Sequence, residues 1–205
     1  MRGPPIFGNR RIRKSFRPGR TIESDPTLEF VVKATEGRSA RMFVEEKEVA
    51  MIGPRGRAMF SVLSESFGEW KVELRDDGEI RPFSAEITRE GKSGLALKIR
   101  NHLFFYKGAA YLLTGIPEEV RPADHVLGKR HVSRLDSFPF SGLDEVDRET
   151  WGRLRLHRGI SVGEIYGASP QAFRVTLSDE LSEIGLPLSA ALYLLYNSGQ
   201  GARGW

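Results

Sequence analysis

Cysteine is absent from all 205 residues, which excludes disulfides, thiolate metal sites and thiol catalysis. That absence suits a reducing compartment, so a cytoplasmic location is the expectation, with association limited to the periphery of a membrane. Long apolar runs are lacking as well. A membrane-crossing helix takes roughly 18 or more consecutive apolar residues, whereas the longest such run here, Leu186 to Tyr196, has 11. The N-terminal segment has no apolar core of the secretory kind. No transmembrane segment and no signal are therefore expected.

Acidic residues are missing from positions 1–20, which hold Arg2, Arg10, Arg11, Arg13, Lys14, Arg17 and Arg20. The whole chain carries a formal charge of +4, with 31 basic and 27 acidic residues. Setting those seven bases aside leaves 24 against 27, so the remainder is acidic by three and the basicity belongs to the tail. Pro4, Pro5, Pro18 and Pro26 punctuate the same stretch. Residues 1–26 read as a flexible basic arm, whose partner would be an anionic lipid surface or a polyphosphate backbone. A plain solvated tail is the competing reading.

What is present from residue 28 to about 177 is alternation. Phe67-Gly-Glu-Trp-Lys-Val-Glu-Leu-Arg75, Leu95-Ala-Leu-Lys-Ile-Arg100, Leu154-Arg-Leu-His157 and Phe173-Arg-Val-Thr-Leu177 place apolar residues at every second position. Period two gives each strand one buried and one wet face, the habit of antiparallel sheets. Turn signals such as Glu36-Gly37, Asp76-Asp-Gly78, Glu90-Gly91 and Lys107-Gly108 fall between the runs. Twelve strands are expected, near 28–34, 40–45, 48–52, 57–63, 68–75, 79–89, 94–100, 102–106, 109–114, 152–157, 161–166 and 172–177. Residues 117–151, rich in proline and acid, read as a long connection across the surface with a helical turn near 144–151. Only Leu127 to Leu135 has strand character within it.

The run Leu186 to Tyr196 is a helix apolar on nearly every face, with Pro187 suited to its first turn and Asn197-Ser198-Gly199 as its stop. Such a helix has to be surrounded. Twelve antiparallel strands must close or split to remove their edges, and a closed ring of that size is too wide for side chains alone to fill. A mainly β fold is thus expected: a closed antiparallel barrel of about twelve strands around a hydrophobic C-terminal helix. It would span residues 27–197 with its helix near 186–197, leaving 198–205 as a short tail.

This order of elements resembles the tubby-like barrel superfamily, which includes the tubby C-terminal domain, phospholipid scramblases and LURP-one-related proteins. The residues that carry the resemblance are Leu186 to Tyr196 and the alternating strands before them. The hairpin text Gly94-Leu-Ala-Leu-Lys-Ile-Arg-Asn101 followed by His102-Leu-Phe-Phe-Tyr-Lys-Gly-Ala-Ala-Tyr111 also looks like the strand pairs of the LURP-one and scramblase group. The resemblance implies a twelve-stranded barrel enclosing its last helix. It also implies a non-enzymatic domain that binds phospholipid headgroups through basic side chains on the barrel exterior. No phosphate-binding motif of that family can be placed residue by residue, and the lipid-anchoring cysteines of scramblase-type proteins are absent.

Within the chain itself, outward parity falls on Lys71 and Arg75, on Lys98 and Arg100 with Lys107 at the next hairpin, and on Arg153 and Arg155. Aligned by neighbouring strands, these would form an anion-binding surface, helped by Arg10, Arg11, Arg13, Lys14, Arg17 and Arg20 of the arm. Interleaved Glu73, Glu79 and Glu86 argue instead for an ordinary charged surface.

Other motifs lead nowhere. Gly91-Lys92-Ser93 mimics the end of a phosphate loop, yet Glu86 stands where that loop needs glycine and a strand follows instead of a helix. Gly167-Ala-Ser169-Pro-Gln171 lacks the last glycine of a nucleophile elbow. Among His102, His125, His131 and His157 only His125 and His131 are close, and they are not spaced as zinc ligands on a helix. Phe104-Phe105-Tyr106 is short for a base-stacking platform. No cofactor is expected, and nucleic acid is not the expected partner. A protein-interaction scaffold, and an enzyme built from scattered acids and histidines, stand as the two rival readings.

Overall fold

The alternation is realised as twelve strands in a computed structural model describing residues 27–75, 84–92, 95–100, 103–114, 130–139, 159–169 and 172–198. The strands are β1 (Thr27–Ala34), β2 (Ala40–Val44), β3 (Lys47–Pro54), β4 (Met59–Ser64), β5 (Gly68–Arg75) and β6 (Ser84–Arg89). They continue as β7 (Leu95–Arg100), β8 (Leu103–Tyr106), β9 (Ala109–Thr114), β10 (Arg130–Pro139), β11 (Ile160–Ser169) and β12 (Ala172–Ser178). A 3-10 turn, Asp179–Leu181, leads into the helix α1 (Ser182–Ser198). Each strand pairs antiparallel with the next, and β1 returns to pair with β12, closing the barrel. Closure leaves no row of backbone donors and acceptors open to another chain.

Side-chain parity decides what faces inward. On β1 Phe30 and Val32 are buried while Glu29 and Lys33 are exposed; on β5 Trp70 and Val72 are buried between half-exposed Glu69, Lys71 and Glu73. The lumen-facing rows of opposite walls meet in one core with the helix. Every residue from Ile184 to Tyr196 is buried, including Ser189. The helix touches β1 and β12 on one side and β5 and β6 on the other, strands that lie nearly across the ring from each other. A helix buried on all faces and in contact with opposite walls is the filling of the barrel. At its entry Gly185 permits a close approach: a Cβ there would lie 2.9 Å from Cε2 of Phe30.

Two hairpins carry left-handed backbone at both central residues, Glu45 and Glu46 (φ 49° and 65°) and Lys107 and Gly108 (φ 47° and 77°). Positive φ at both positions is the signature of the type I′ turn, whose twist matches that of the flanking strands. Gly108 suits that geometry; the two glutamates adopt it at a steric cost.

The structure departs from the sequence expectation in two places, and a third expectation falls where nothing is described. The supposed connection 117–151 contributes a full strand, β10, which pairs with both β9 and β11. The strand expected at 152–157 and the helical turn expected at 144–151 lie outside the described residues. The helix starts at Ser182, ahead of the expected Leu186, so Pro187 sits inside it. Its missing N–H falls early in the helix, where at most one intrahelical bond is lost.

Candidate functional site: the charged outer faces

The outer surface of β5, β6 and β7 gathers four of the expected basic residues. In the strand register Glu73 stands beside Glu86 and Glu86 beside Lys98. One row along, Arg75 stands beside Ser84 and Ser84 beside Arg100. Lys71, Arg75, Lys98 and Arg100 are therefore brought onto one face, as outward parity requires. Two carboxylates occupy the same face. Lys71 reaches Glu73 at 3.3 Å, Arg75 reaches Glu73 at 3.1 Å and Glu86 at 2.9 Å, and Lys98 reaches Glu86 at 3.0 Å. Hydrogen bonds from Lys98 and then Arg75 hold the Glu86 carboxyl below the usual carboxylate range, against the opposing effect of burial. Arg100 is exposed and makes no ion pair among the described residues. Around Glu73 and Glu86 these four cations leave a local surplus of two positive charges; Glu69, also outward on β5, lies further along and pairs with Arg55.

Lys107 does not join that face. It lies in the β8–β9 turn, whereas Arg75 and Arg100 end strands that run toward the other mouth of the barrel. There its Nζ sits 2.8 Å from Glu183 at the start of α1, and the Tyr106 hydroxyl donates to the same carboxylate at 2.8 Å. Lys107 first, and then Tyr106, lower the Glu183 pKa, and Glu183 in turn raises that of Lys107. Beside them burial, followed by the charge of Glu180, pushes the Tyr111 hydroxyl up to about 12. These contacts fasten the helix entry to the β8–β9 hairpin across 77 positions of chain. No sequence signal marks them, because the pairing exists only once the barrel has closed around the helix.

Two side-chain pairs mark the outer face of β10 and β11. Arg134 grips Asp136 through Nε to Oδ1 at 2.7 Å and Nη2 to Oδ2 at 2.8 Å. Asp136 is buried on the outer side of β10, and the Tyr166 hydroxyl donates to Glu164. Burial first, and then that carboxylate, push the Tyr166 hydroxyl up to about 12.

The remaining sequence motifs resolve plainly. Gly91 adopts φ 75° in the β6–β7 connection and a strand follows, so Gly91-Lys92 belongs to a turn. Phe104 is buried and stacks on Tyr111 with ring centroids 4.9 Å apart. Phe105 packs with Leu103, Ala110, Leu112 and Phe138 in a second apolar cluster, and Tyr106 turns to the helix. The three aromatics thus point to different neighbours and offer no common stacking surface. Among the described residues no three His, Asp or Glu side chains come together as metal ligands. His131 lies on β10; His102, His125 and His157, together with Arg153, Arg155 and the arm residues Arg10, Arg11, Arg13, Lys14, Arg17 and Arg20, lie outside the described residues. No described helix is long and apolar enough to cross a membrane. No family model matches the chain, and no curated protein resembles it closely enough in sequence to count as a relative.

Proposed function

We propose that the chain is a non-enzymatic barrel of the tubby-like type that binds an anionic partner, phospholipid headgroups at a membrane surface, through its exterior. The observation that carries this reading is the surplus of positive charge where Lys71, Arg75, Lys98 and Arg100 meet around Glu73 and Glu86. A barrel of this size would ordinarily hold a ligand in its lumen, but here α1 fills it. Binding is thereby directed to the outside, where a convex cationic face suits a lipid surface.

The test is co-sedimentation at low salt with vesicles of phosphatidylcholine alone or mixed with phosphatidylserine. Removing both Lys98 and Arg100 as alanines takes away about 2 kcal/mol of surface attraction, roughly a thirtyfold loss. Glu86→Gln leaves Lys98 and Arg75 without one of their anions and should strengthen pelleting about fivefold by the same reckoning. Deleting residues 1–20 in parallel separates the arm from the barrel. If neither the wild type nor Glu86→Gln pellets with the anionic vesicles, the proposal is wrong.

A further inference from the structure

Among the described residues the most ordered charge pattern on the exterior runs from β1 across to β5 and the end of β6, beside the cluster of Lys71, Arg75, Lys98 and Arg100. Register places six outward residues in one row across the strands: Lys33 beside Arg41, Arg41 beside Met51, Met51 beside Leu63 and Leu63 beside Glu69. Glu90 closes the row, its N–H donating to the Glu69 carbonyl at 2.9 Å. In order the row reads two cations, two apolar residues and two anions. Met51 and Leu63 are among the few large apolar side chains left exposed, at 45% and 40%. Phe67, in the adjoining β4–β5 turn, is another.

We infer that this face is a self-association surface that takes a second copy of the chain about a two-fold axis between Met51 and Leu63. A two-fold axis lying in the interface, parallel to the strands and midway between β3 and β4, reverses the row. Met51 then meets the Leu63 of the second copy, Arg41 meets its Glu69, and Lys33 faces toward its Glu90. Antisymmetry about the midpoint is the condition an isologous interface must satisfy, and this row satisfies it at all six positions. No lipid or unrelated acidic surface calls for acids at one end of the row.

Neighbours within the chain do not erase the pattern. Glu48 pairs with Arg41 at 3.1 Å, which leaves the Lys33 end positive by one. Arg55 pairs with both Glu69 and Glu90, which leaves the other end negative by one. The wall is convex, so Lys33 and Glu90, each two and a half strands from the axis, are roughly 12 Å along the sheet from it. They act by attraction at a distance, while Met51, Leu63 and the long side chains of Arg41 and Glu69 make the contact. Such a footprint is small, so the association is weak and salt-sensitive. It uses none of Lys71, Arg75, Lys98 and Arg100, the residues on which the lipid reading rests.

The test is sedimentation equilibrium of the full chain from about 1 μM to about 1 mM, with circular dichroism melts to confirm that each variant folds. Wild type should show a monomer–dimer equilibrium that weakens as salt rises. Arg41→Glu or Glu69→Arg alone should weaken it roughly tenfold or more, because each substitution creates two like-charge contacts per dimer. The combined exchange, Arg41→Glu with Glu69→Arg, restores opposite signs and should recover the dimer. Met51→Asp with Leu63→Asp, both at exposed positions, should leave a folded monomer even if the charge variants fold poorly. A wild type that is monomeric throughout overturns the inference, as does a dimer indifferent to Met51→Asp with Leu63→Asp. A monomer whose vesicle binding is lost in that variant would assign the face to a membrane and overturn it too.

Discussion

Leu192 lies in the middle of α1 with none of its surface exposed, so it reports directly on whether the helix is the barrel's filling. Leu192→Ala leaves a cavity that costs about 2–5 kcal/mol. For a chain of this length each kcal/mol lowers the melting temperature by about 2–4 °C, a fall that is easily seen. Leu192→Asp adds two further penalties. The carboxyl must stay protonated inside the barrel at pH 7, about three units above its ordinary pKa, which costs roughly 4 kcal/mol. Its polar atoms also lose water without gaining partners, about 1–3 kcal/mol more. The sum, about 7–12 kcal/mol, reaches the whole stability of an ordinary domain, about 5–15 kcal/mol. The sign with pH is definite. A carboxyl whose folded pKa is raised carries no ionisation penalty below its unfolded pKa and an increasing one as pH rises toward the folded value. Urea titrations followed by fluorescence, with Trp70 buried in the core, should therefore find Leu192→Asp close to Leu192→Asn at pH 4 and much weaker at pH 7. If Leu192→Asp keeps the wild-type midpoint at pH 7, the side chain meets water and the helix is not the filling.

Three further expectations concern single features. Ser189 is fully buried and its hydroxyl finds no partner among the described residues, so Ser189→Ala should stabilise by about 1–2 kcal/mol through the removed polar group and a better helix former; a lower urea midpoint would refute this. Glu45→Asn with Glu46→Gly gives the β2–β3 turn residues suited to positive φ and should add about 1 kcal/mol, seen as a melting temperature about 2–4 °C higher. Glu183 has its pKa lowered from the ordinary 4.5 by Lys107 and Tyr106. Its contribution is present above that value and lost as pH falls through the folded pKa. Stability measured against pH should thus fall less steeply below about pH 4 in Glu183→Gln than in wild type, and identical slopes would show that the contact contributes nothing.

Eleven of the twelve strands were legible because alternation survives wherever one face is dry and the other wet. β10 was legible only in part, as the strand character of Leu127 to Leu135, and its residues show why. Arg130-His-Val-Ser-Arg-Leu-Asp-Ser-Phe-Pro139 is interrupted by irregularities between His131 and Ser133 and between Leu135 and Asp136. The first, an extra residue at Val132, shifts the strand's own parity by one. At the second the extra residue is Val162 on β11, and β10 itself alternates on with Ser137 inward and Phe138 outward, the reverse of the usual pattern. Asp136 compounds the problem, being an acid buried on the outer side, where the pattern promises water. For the charged face, parity was enough to place Lys71, Arg75, Lys98 and Arg100 outward. The ion pairs were out of reach, because whether Glu86 stands beside Lys98 depends on register between strands. Met51 and Leu63 carried a readable clue, since they fall on the wet parity of strands whose other residues, Ala50, Ile52 and Val62, are dry.

The seam between β1 and β12 and the helix that follows it set the order in which the molecule can come into being. Emerging from a ribosome, the chain delivers eleven strands before β12, the partner that closes β1, appears, and the helix only after that. Until then Phe30, Val62 and Ile87 line a surface that has nothing to cover it. Wall and filling must therefore condense in one late step, slow because its contacts join distant parts of the chain and vulnerable to aggregation while it waits. Cutting the chain ahead of Ser182 would not yield an emptier barrel; it would yield none.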